Sequence, residues 1–95
     1  MSIYVLVHGA WHGAWCWHKV APLLRSAGHI VYTPDLPGHG ERQSSDRRIT
    51  AGDYVDSVHD LVAVQDRPVI LLGHSMAGMV ISRVADLIPD RIRTL

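Results

Sequence analysis

The stretch that most constrains the fold is an apolar run that ends in a turn of small residues. Residues 69–72 are four consecutive branched aliphatic residues, and residues 73–78 form a turn with Ser75 near its centre. A second apolar segment, residues 79–88, follows this turn. The order predicts a buried strand, a sharp corner and a largely buried helix, because both flanking segments lack a clear polar face. We expect Ser75 to be lifted out of the sheet at that corner.

Two other short runs have the composition of strands. Residues 3–7 and 30–33 are dominated by aliphatic and β-branched side chains. Such continuous runs are typical of strands that are covered on both faces of a parallel sheet. Residues 91–95 read as the approach to a fourth strand.

Two helices are predicted between these strands. Apolar residues keep helical spacing within residues 17–27. The helix proper is expected to begin near Lys19, because Pro22 is tolerated only in the first turn, where the backbone N–H groups are unpaired. Thr50 and Asp53 are spaced as a capping pair at the start of the second helix, where each can bond the other's backbone.

The order of these segments predicts an α/β fold. Strand and helix alternate three times, which requires a parallel sheet with right-handed crossovers. Placing the third strand beside the first gives the local strand order 2-1-3, with helices on both faces of the sheet. A crevice then opens beyond the carboxyl ends of the strands, and residues 8–11 meet residues 73–78 there.

The predicted corner carries a pattern associated with nucleophilic catalysis. Residues 73–77 read Gly-His-Ser-Met-Ala, close to the Gly-x-Ser-x-Gly of a strained turn that exposes a serine hydroxyl, with Ala77 in place of the last glycine. Attack of Ser75 on an ester carbonyl would place negative charge on oxygen, which backbone N–H groups can stabilise. The pattern predicts one such donor on Met76 and a second in the loop after the first strand, where Ala10 is the candidate.

Three residues that border this corner are the candidates for substrate contact: Gly9, Trp11 and His74. Gly9 leaves the approach to the serine unobstructed, and Trp11 offers aromatic surface for a pocket. His74 is expected to project away from the serine, so a structural or loop role is favoured over that of a base. The same interpretation applies to His8 and His39.

Three blocks of this sequence, taken together, resemble the α/β-hydrolase superfamily: residues 8–17, residues 34–40 and residues 73–78. The first block is most similar to the group that contains plant methyl esterases, hydroxynitrile lyases and bacterial arylesterase-like relatives. The resemblance runs along nearly the whole chain and covers the N-terminal part of a domain more than twice as long. It implies ester hydrolysis through an acyl-enzyme, with Ser75 as nucleophile.

The family's order of catalytic residues places the acid and the histidine of the triad beyond Leu95. An oxyanion hole without a working triad keeps roughly 10³–10⁴-fold catalysis over water, so we expect these residues by themselves to be inactive. Lyase members carry threonine where this chain has Gly9, which favours the esterase branch. Two alternatives stay open: a receptor-like, non-catalytic ligand-binding member of the fold, and a hydroxynitrile lyase.

The third strand would be a sheet edge, apolar on both faces, unless another strand covers it, and such edges invite aggregation. We therefore expect residues 1–95 to be the N-terminal part of a single domain that requires a C-terminal segment. The remaining notable side chains are expected to be structural. Asp35 should bond within its own turn, Cys16 should be a small buried residue, and Trp15 and Trp17 should pack in the core.

Composition and charge exclude several classes of partner. Nine basic and nine acidic residues give a formal charge of zero, so neither nucleic acid nor membrane is an expected partner. His8 and His12 lack the glutamate of the zinc-protease pattern, so no metal is expected, and no cofactor is implied. The first apolar run is too short for a signal peptide or membrane span. With the single Cys16, these features indicate a cytoplasmic protein whose partner is a small-molecule ester.

Overall fold

The computed structural model describes residues 1–9, 12–37 and 50–95. Its strands are β1 (Ile3–Val7), β2 (Ile30–Tyr32), β3 (Val69–Gly73) and β4 (Ile92–Thr94). Its helices are α1 (Val20–Ser26), α2 (Ala51–Ala63) and α3 (Ala77–Leu87), with 3₁₀ turns at Ala14–Trp17 and Pro89–Arg91. Within the described ranges, no helix has the length and apolar character needed to cross a membrane.

The strands form one parallel sheet in the order β2-β1-β3-β4. Tyr4 of β1 pairs with Val31 of β2 on one side and with Ile70 of β3 on the other. This arrangement confirms the predicted α/β class and the local order 2-1-3. Because Val7 pairs with Gly73 at the carboxyl ends of β1 and β3, the segments that follow these two strands emerge side by side.

Helices cover both faces of the sheet, but unequally. Val5 points into a large buried cluster formed with α2 and α3, which includes Val58. Leu6 points to the opposite face, where a smaller cluster contains Ala21 of α1. Leu72 of β3 pairs beside Leu6 and is 44% exposed, because α1 packs over β1 and β2 and leaves β3 uncovered on that face.

The sheet contains a fourth strand, β4, beyond the three that the sequence predicted in full. Residues 91–95 were expected to approach a fourth strand, and Ile92–Thr94 pair in parallel with β3 as β4. The pairing is irregular, since Val69 faces Ile92 while Ile70 faces Thr94. In the described sheet β4 therefore covers β3, so the strand before Ser75 is an inner strand and the condition under which it would form the edge is not met.

Two helices differ in detail from their sequence interpretation. The helical spacing that started at Trp17 is divided, because Trp17 ends a separate 3₁₀ turn and α1 begins at Val20, one residue after Lys19. The helix after the corner, α3, is not largely buried. Met79 is 62% exposed and Leu87 is 46% exposed, because α3 packs on β3 and α2 with one face alone.

The start of α2 is held by the predicted capping pair. The hydroxyl of Thr50 accepts a hydrogen bond from the N–H of Asp53 at 3.3 Å, and the Asp53 carboxylate accepts one from the N–H of Thr50 at 2.9 Å. Replacing Thr50 with alanine is expected to lower the free energy of unfolding by about 1 kcal/mol, measured by urea denaturation. Thr50→Ser keeps the hydroxyl and should stay within a few tenths of a kcal/mol of the parent. Equal losses in both variants would contradict the capping role.

Candidate functional site

Ser75 occupies the corner between β3 and α3. Strand β3 ends at Gly73 and α3 begins at Ala77, so residues 74–76 form the entire connection between the strand and the helix. Among the residues that the structure describes, Ser75 is the one non-glycine residue with positive φ, at 58°, and it is exposed. This left-handed conformation costs about 1–2 kcal/mol for a residue with a Cβ. Packing on both sides of the corner therefore holds the serine in a strained, solvent-facing position.

Close packing at the base of the corner requires a glycine at position 73. A Cβ on Gly73 would lie 2.9 Å from the carbonyl oxygen of Ala77 and 3.0 Å from Cδ1 of Ile81. These distances are shorter than ordinary van der Waals contact. The end of β3 and the first turns of α3 therefore approach closely only because residue 73 has no side chain.

The loop after β1 lies directly against the corner. The N–H of His74 donates a hydrogen bond to the carbonyl of Val7 at 3.1 Å. A Cβ on Gly9 would lie 3.0 Å from Nδ1 of His74, 3.0 Å from the His74 carbonyl oxygen and 3.2 Å from Cβ of Ser75. Since Gly9 has no side chain, the backbone of this loop comes next to the serine, as the 2-1-3 order predicts.

The backbone N–H groups at the corner are not all used internally. Ala77 N–H donates to the His74 carbonyl at 3.1 Å, and Gly78 N–H donates to the Ser75 carbonyl at 2.9 Å. No described residue accepts a hydrogen bond from the N–H of Met76, which stands at the cap of α3. In the described parts of the chain, this N–H is therefore available to an anion, and the dipole of α3 favours negative charge at that end.

Two histidines close to the corner differ in their surroundings. His8 is completely buried; its Nδ1–H donates to the Gly9 carbonyl at 2.8 Å, and its Nε2 accepts from the N–H of Leu36 at 2.9 Å. Both ring nitrogens are thus engaged, so this ring has no free lone pair for a serine proton. His74 is exposed, and its ring meets that of His12 edge-on, with centroids 5.9 Å apart.

Three residues singled out in the sequence lie outside the described residues: Ala10, Trp11 and His39. Their expected places, as oxyanion donor, substrate contact and structural histidine, stay predictions. In the ranges that the structure does describe, no group of three or more His, Cys, Asp or Glu side chains is arranged to hold a metal ion.

Comparison with known protein families shows which family this chain belongs to. The family model described as "Alpha/beta hydrolase family" matches residues 4–95. This chain belongs to the α/β-hydrolase family. The resemblance seen in the three sequence blocks is thereby confirmed, and the chain has a parallel sheet with helices on both faces.

Individual relatives place this chain, as an N-terminal part, in the plant methylesterase group. A carbendazim hydrolyzing esterase of Nocardioides sp. (strain SG-4G) is 45% identical over 97 residues, covering 100% of this chain and 40% of the relative. Methylesterase 9 of Arabidopsis thaliana is 40% identical over 95 residues, covering 97% and 37%. The crystal structure of polyneuridine aldehyde esterase superposes with a TM-score of 0.86 at 39% identity, covering 97% and 37%. This chain thus spans 37–40% of the length of these relatives.

The fold accommodates the one departure of this chain from the Gly-x-Ser-x-Gly pattern. Ala77, which replaces the last glycine, is completely buried and belongs to the large core cluster. The following Gly78 has no atoms within 4 Å of the place where a Cβ would be. The position where the chain needs glycine for packing is therefore Gly73, and the alanine methyl fills space in the core instead of crowding the strand.

Nothing in the sequence indicates one hydrogen bond between two loops. Oδ1 of Asp35 accepts a hydrogen bond from the N–H of Ala14 at 2.6 Å, across 21 residues of sequence, where the sequence suggested a bond within the turn after β2. No local pattern signals a contact between two separate loops. Cys16 nearby is partly buried, not fully buried as expected. Burial raises the pKa of the Cys16 thiol, and the charge of Asp35 adds to the rise.

Trp15 and Trp17 differ in exposure: Trp17 is partly buried, whereas Trp15 is exposed. Trp17 packs against the cluster under α1, as predicted. Trp15 is 60% exposed, so the expectation of core packing is wrong for it. Its ring lies beside that of His12, with centroids 5.4 Å apart, and His12 in turn meets His74. An aromatic series therefore extends outward from the corner that carries Ser75.

Proposed function

We propose that this α/β hydrolase cleaves small-molecule carboxylic esters, with Ser75 as the nucleophile. The observation that carries the proposal is the exposed, positive-φ position of Ser75 beside the side-chain-free backbone of Gly9. The serine oxygen bonds to the acyl carbon while its proton passes through a base to the departing alcohol. Water then attacks the acyl-enzyme, which releases the acid and returns the proton to the serine.

Stabilisation of the tetrahedral intermediate is assigned to two backbone amides. The N–H of Met76 donates no hydrogen bond to a described residue and lies at the positive end of α3, which suits a developing negative charge. The second donor in this proposal is the N–H of Ala10, which follows Gly9 in the loop against the corner. Gly9, Trp11 and His74 would border the bound ester.

The acid and the base of the triad are assigned to a part of the domain beyond these 95 residues. His8 cannot serve as base because both ring nitrogens are engaged. The relatives are about two and a half times as long as the matched region, which leaves ample chain for both groups. In this proposal residues 1–95 are the N-terminal part of one domain, and the complete protein is a cytoplasmic enzyme that needs no cofactor.

The lyase alternative receives no support from the packing at Gly9. A threonine at this position, as in the lyase members, would bring its Cβ to 3.0 Å from both the ring and the carbonyl oxygen of His74. His74 would have to move before a side chain could fit. This close approach supports the esterase assignment over the lyase.

Labelling with a fluorophosphonate tests the nucleophile directly, because the reagent bonds covalently to an activated serine. In the complete protein, the parent and the Ser82→Ala variant should label, whereas Ser75→Ala should not. Ser82 is a matched control, since it is an exposed serine of α3 whose hydroxyl donates to the Gly78 carbonyl at 2.7 Å. Equal labelling of parent and Ser75→Ala would exclude Ser75 as nucleophile.

A further inference from the structure

The outer edge of β2 carries an arginine. In the described sheet, β2 pairs with β1 on one side and has no strand beside it on the other. The N–H of Ile30 donates to the carbonyl of Ser2 at 3.0 Å, so the backbone groups of Ile30 face β1. Successive residues of a strand direct their backbone groups to opposite edges, so the N–H and C=O of Val31 both point away from β1. This outward carbonyl accepts a hydrogen bond from Nη2 of Arg25 at 2.9 Å.

The end of α1 places Arg25 beside this edge. The N–H of Gly28, which has a φ of 90°, donates to the Arg25 carbonyl at 3.0 Å. The N–H of His29 donates to the Leu24 carbonyl at 3.2 Å. These two bonds form a Schellman turn, in which glycine supplies the left-handed conformation. The turn joins the last residues of α1 directly to β2, so the Arg25 side chain reaches Val31 without crossing the sheet.

The strand has the character of one that accepts a further strand. Ile30 and Tyr32 are each 37% exposed. They lie on the same face as Ile3 and Val5, with which they pair in the register of β1 and β2. An added strand would cover more of both side chains and would pair with the outward backbone groups of Val31. Edges of this kind are common sites of pairing between copies of one chain.

We propose that Arg25 prevents β2 of a second copy of this protein from pairing with this edge. In an antiparallel pair about a two-fold axis, opposed Val31 residues would exchange both of their backbone hydrogen bonds. The guanidinium already occupies the carbonyl that this exchange requires, and it does so in both copies. It also fills the space beside β2 that a strand about 4.8 Å away would enter.

Charge makes this protection stronger than the hydrogen bond by itself. A strand that paired around Arg25 would bury a cation without a partner, which is strongly unfavourable. A strand that displaced Arg25 would remove its hydrogen bond to Val31. No residue of the Ser75 corner takes part, so the inference does not depend on the proposed function.

The substitution Arg25→Met tests this role, because it keeps a flexible unbranched side chain and removes the charge and the donors. In the complete protein we expect the self-association constant to rise about tenfold or more, measured by sedimentation velocity over a concentration series. Amide hydrogen exchange gives a local measurement: the N–H of Val31 should exchange more slowly as the concentration of the variant rises. Arg83→Met is the matched control, since Arg83 is an exposed arginine of α3 that pairs with Asp86 at 2.9 Å. It should change neither measurement.

A proline at position 31 tests whether association uses this edge. Because the N–H of Val31 points away from β1, proline removes a donor that an added strand needs and leaves the bonds to β1 in place. The double variant Arg25→Met/Val31→Pro should therefore return to the association constant of the parent. Urea denaturation of each variant gives the folded fraction, so that association of unfolded chains is not counted.

Three results would overturn the inference. The first is an Arg25→Met variant that associates no more than the parent, and the second is an equal rise in Arg83→Met. The third is association of Arg25→Met without slower exchange at Val31, which also decides the matter if the proline variant does not fold. If Arg25→Met does not fold, Arg25→Gln replaces it with the same expectations, because glutamine is uncharged and shorter than arginine.

Discussion

Replacing Ser75 with alanine is expected to lower kcat for ester hydrolysis by about 10⁴- to 10⁶-fold in the complete protein, because loss of a triad serine removes the covalent route and leaves only oxyanion stabilisation and binding. The measurement is steady-state hydrolysis of an activated aryl ester at saturating substrate. KM should change little, since the oxyanion donors and the substrate contacts are untouched.

Two controls accompany this substitution. Ser82→Ala removes an exposed hydroxyl of α3 and should keep full activity. Ser75→Gly removes the same hydroxyl as Ser75→Ala and should be equally inactive, yet it should unfold at higher denaturant, because glycine adopts the φ of 58° without the cost that a Cβ carries. Residual turnover in Ser75→Ala above a hundredth of the parent rate would refute a serine-based mechanism.

Gly73→Ala is expected to lower the free energy of unfolding by about 1–3 kcal/mol, the usual cost of overpacking a filled site. The added Cβ would meet the backbone carbonyl of Ala77 at 2.9 Å, and a helix backbone cannot turn aside as a flexible side chain can. Because the shift would displace the start of α3 from β3, labelling of Ser75 by a fluorophosphonate should also slow. Chemical denaturation and labelling rates measure the two effects.

Gly78→Ala is the matched control for that substitution. Gly78 lies in the first turn of the same helix, and nothing is within 4 Å of its Cβ position. Alanine there should be neutral or stabilise by up to about 1 kcal/mol, because it reduces the conformational freedom of the unfolded chain. Destabilisation by Gly78→Ala equal to that of Gly73→Ala would mean that helix propensity, and not the approach of β3 to α3, explains both.

Much of the fold could be predicted because local and global signals agree. Residues 3–7 and 69–72 have the continuous apolar character of inner parallel strands, and they are β1 and β3 at the centre of the sheet. The Thr50–Asp53 pair is visible in sequence because both partners lie in one turn. The exposure of Leu72, in contrast, depends on where α1 lies across the sheet. The residues around position 72 give no information about the placement of α1.

For the candidate site, the local corner could be predicted from the sequence, but the contacts between distant loops could not. The corner at Ser75 has a short-range signature, since glycine and small residues must flank a residue of positive φ. The bonds made by His8 and Asp35 join loops that are far apart in sequence, so residue spacing gives no hint of them. The exposure of Trp15 has the same origin, because it depends on the path of the loop and not on the apolar character of the residue.

The central place of β1 has a consequence for synthesis of the protein. Tyr4 pairs with Ile70, which follows it by 66 residues. At translation rates of about 5–20 residues per second, β1 leaves the ribosome some 3–13 s before its partner in β3 exists. During that interval one flank of an aliphatic segment is unpaired, so nascent chains stalled between residues 33 and 69 should be the species that chaperones capture most readily.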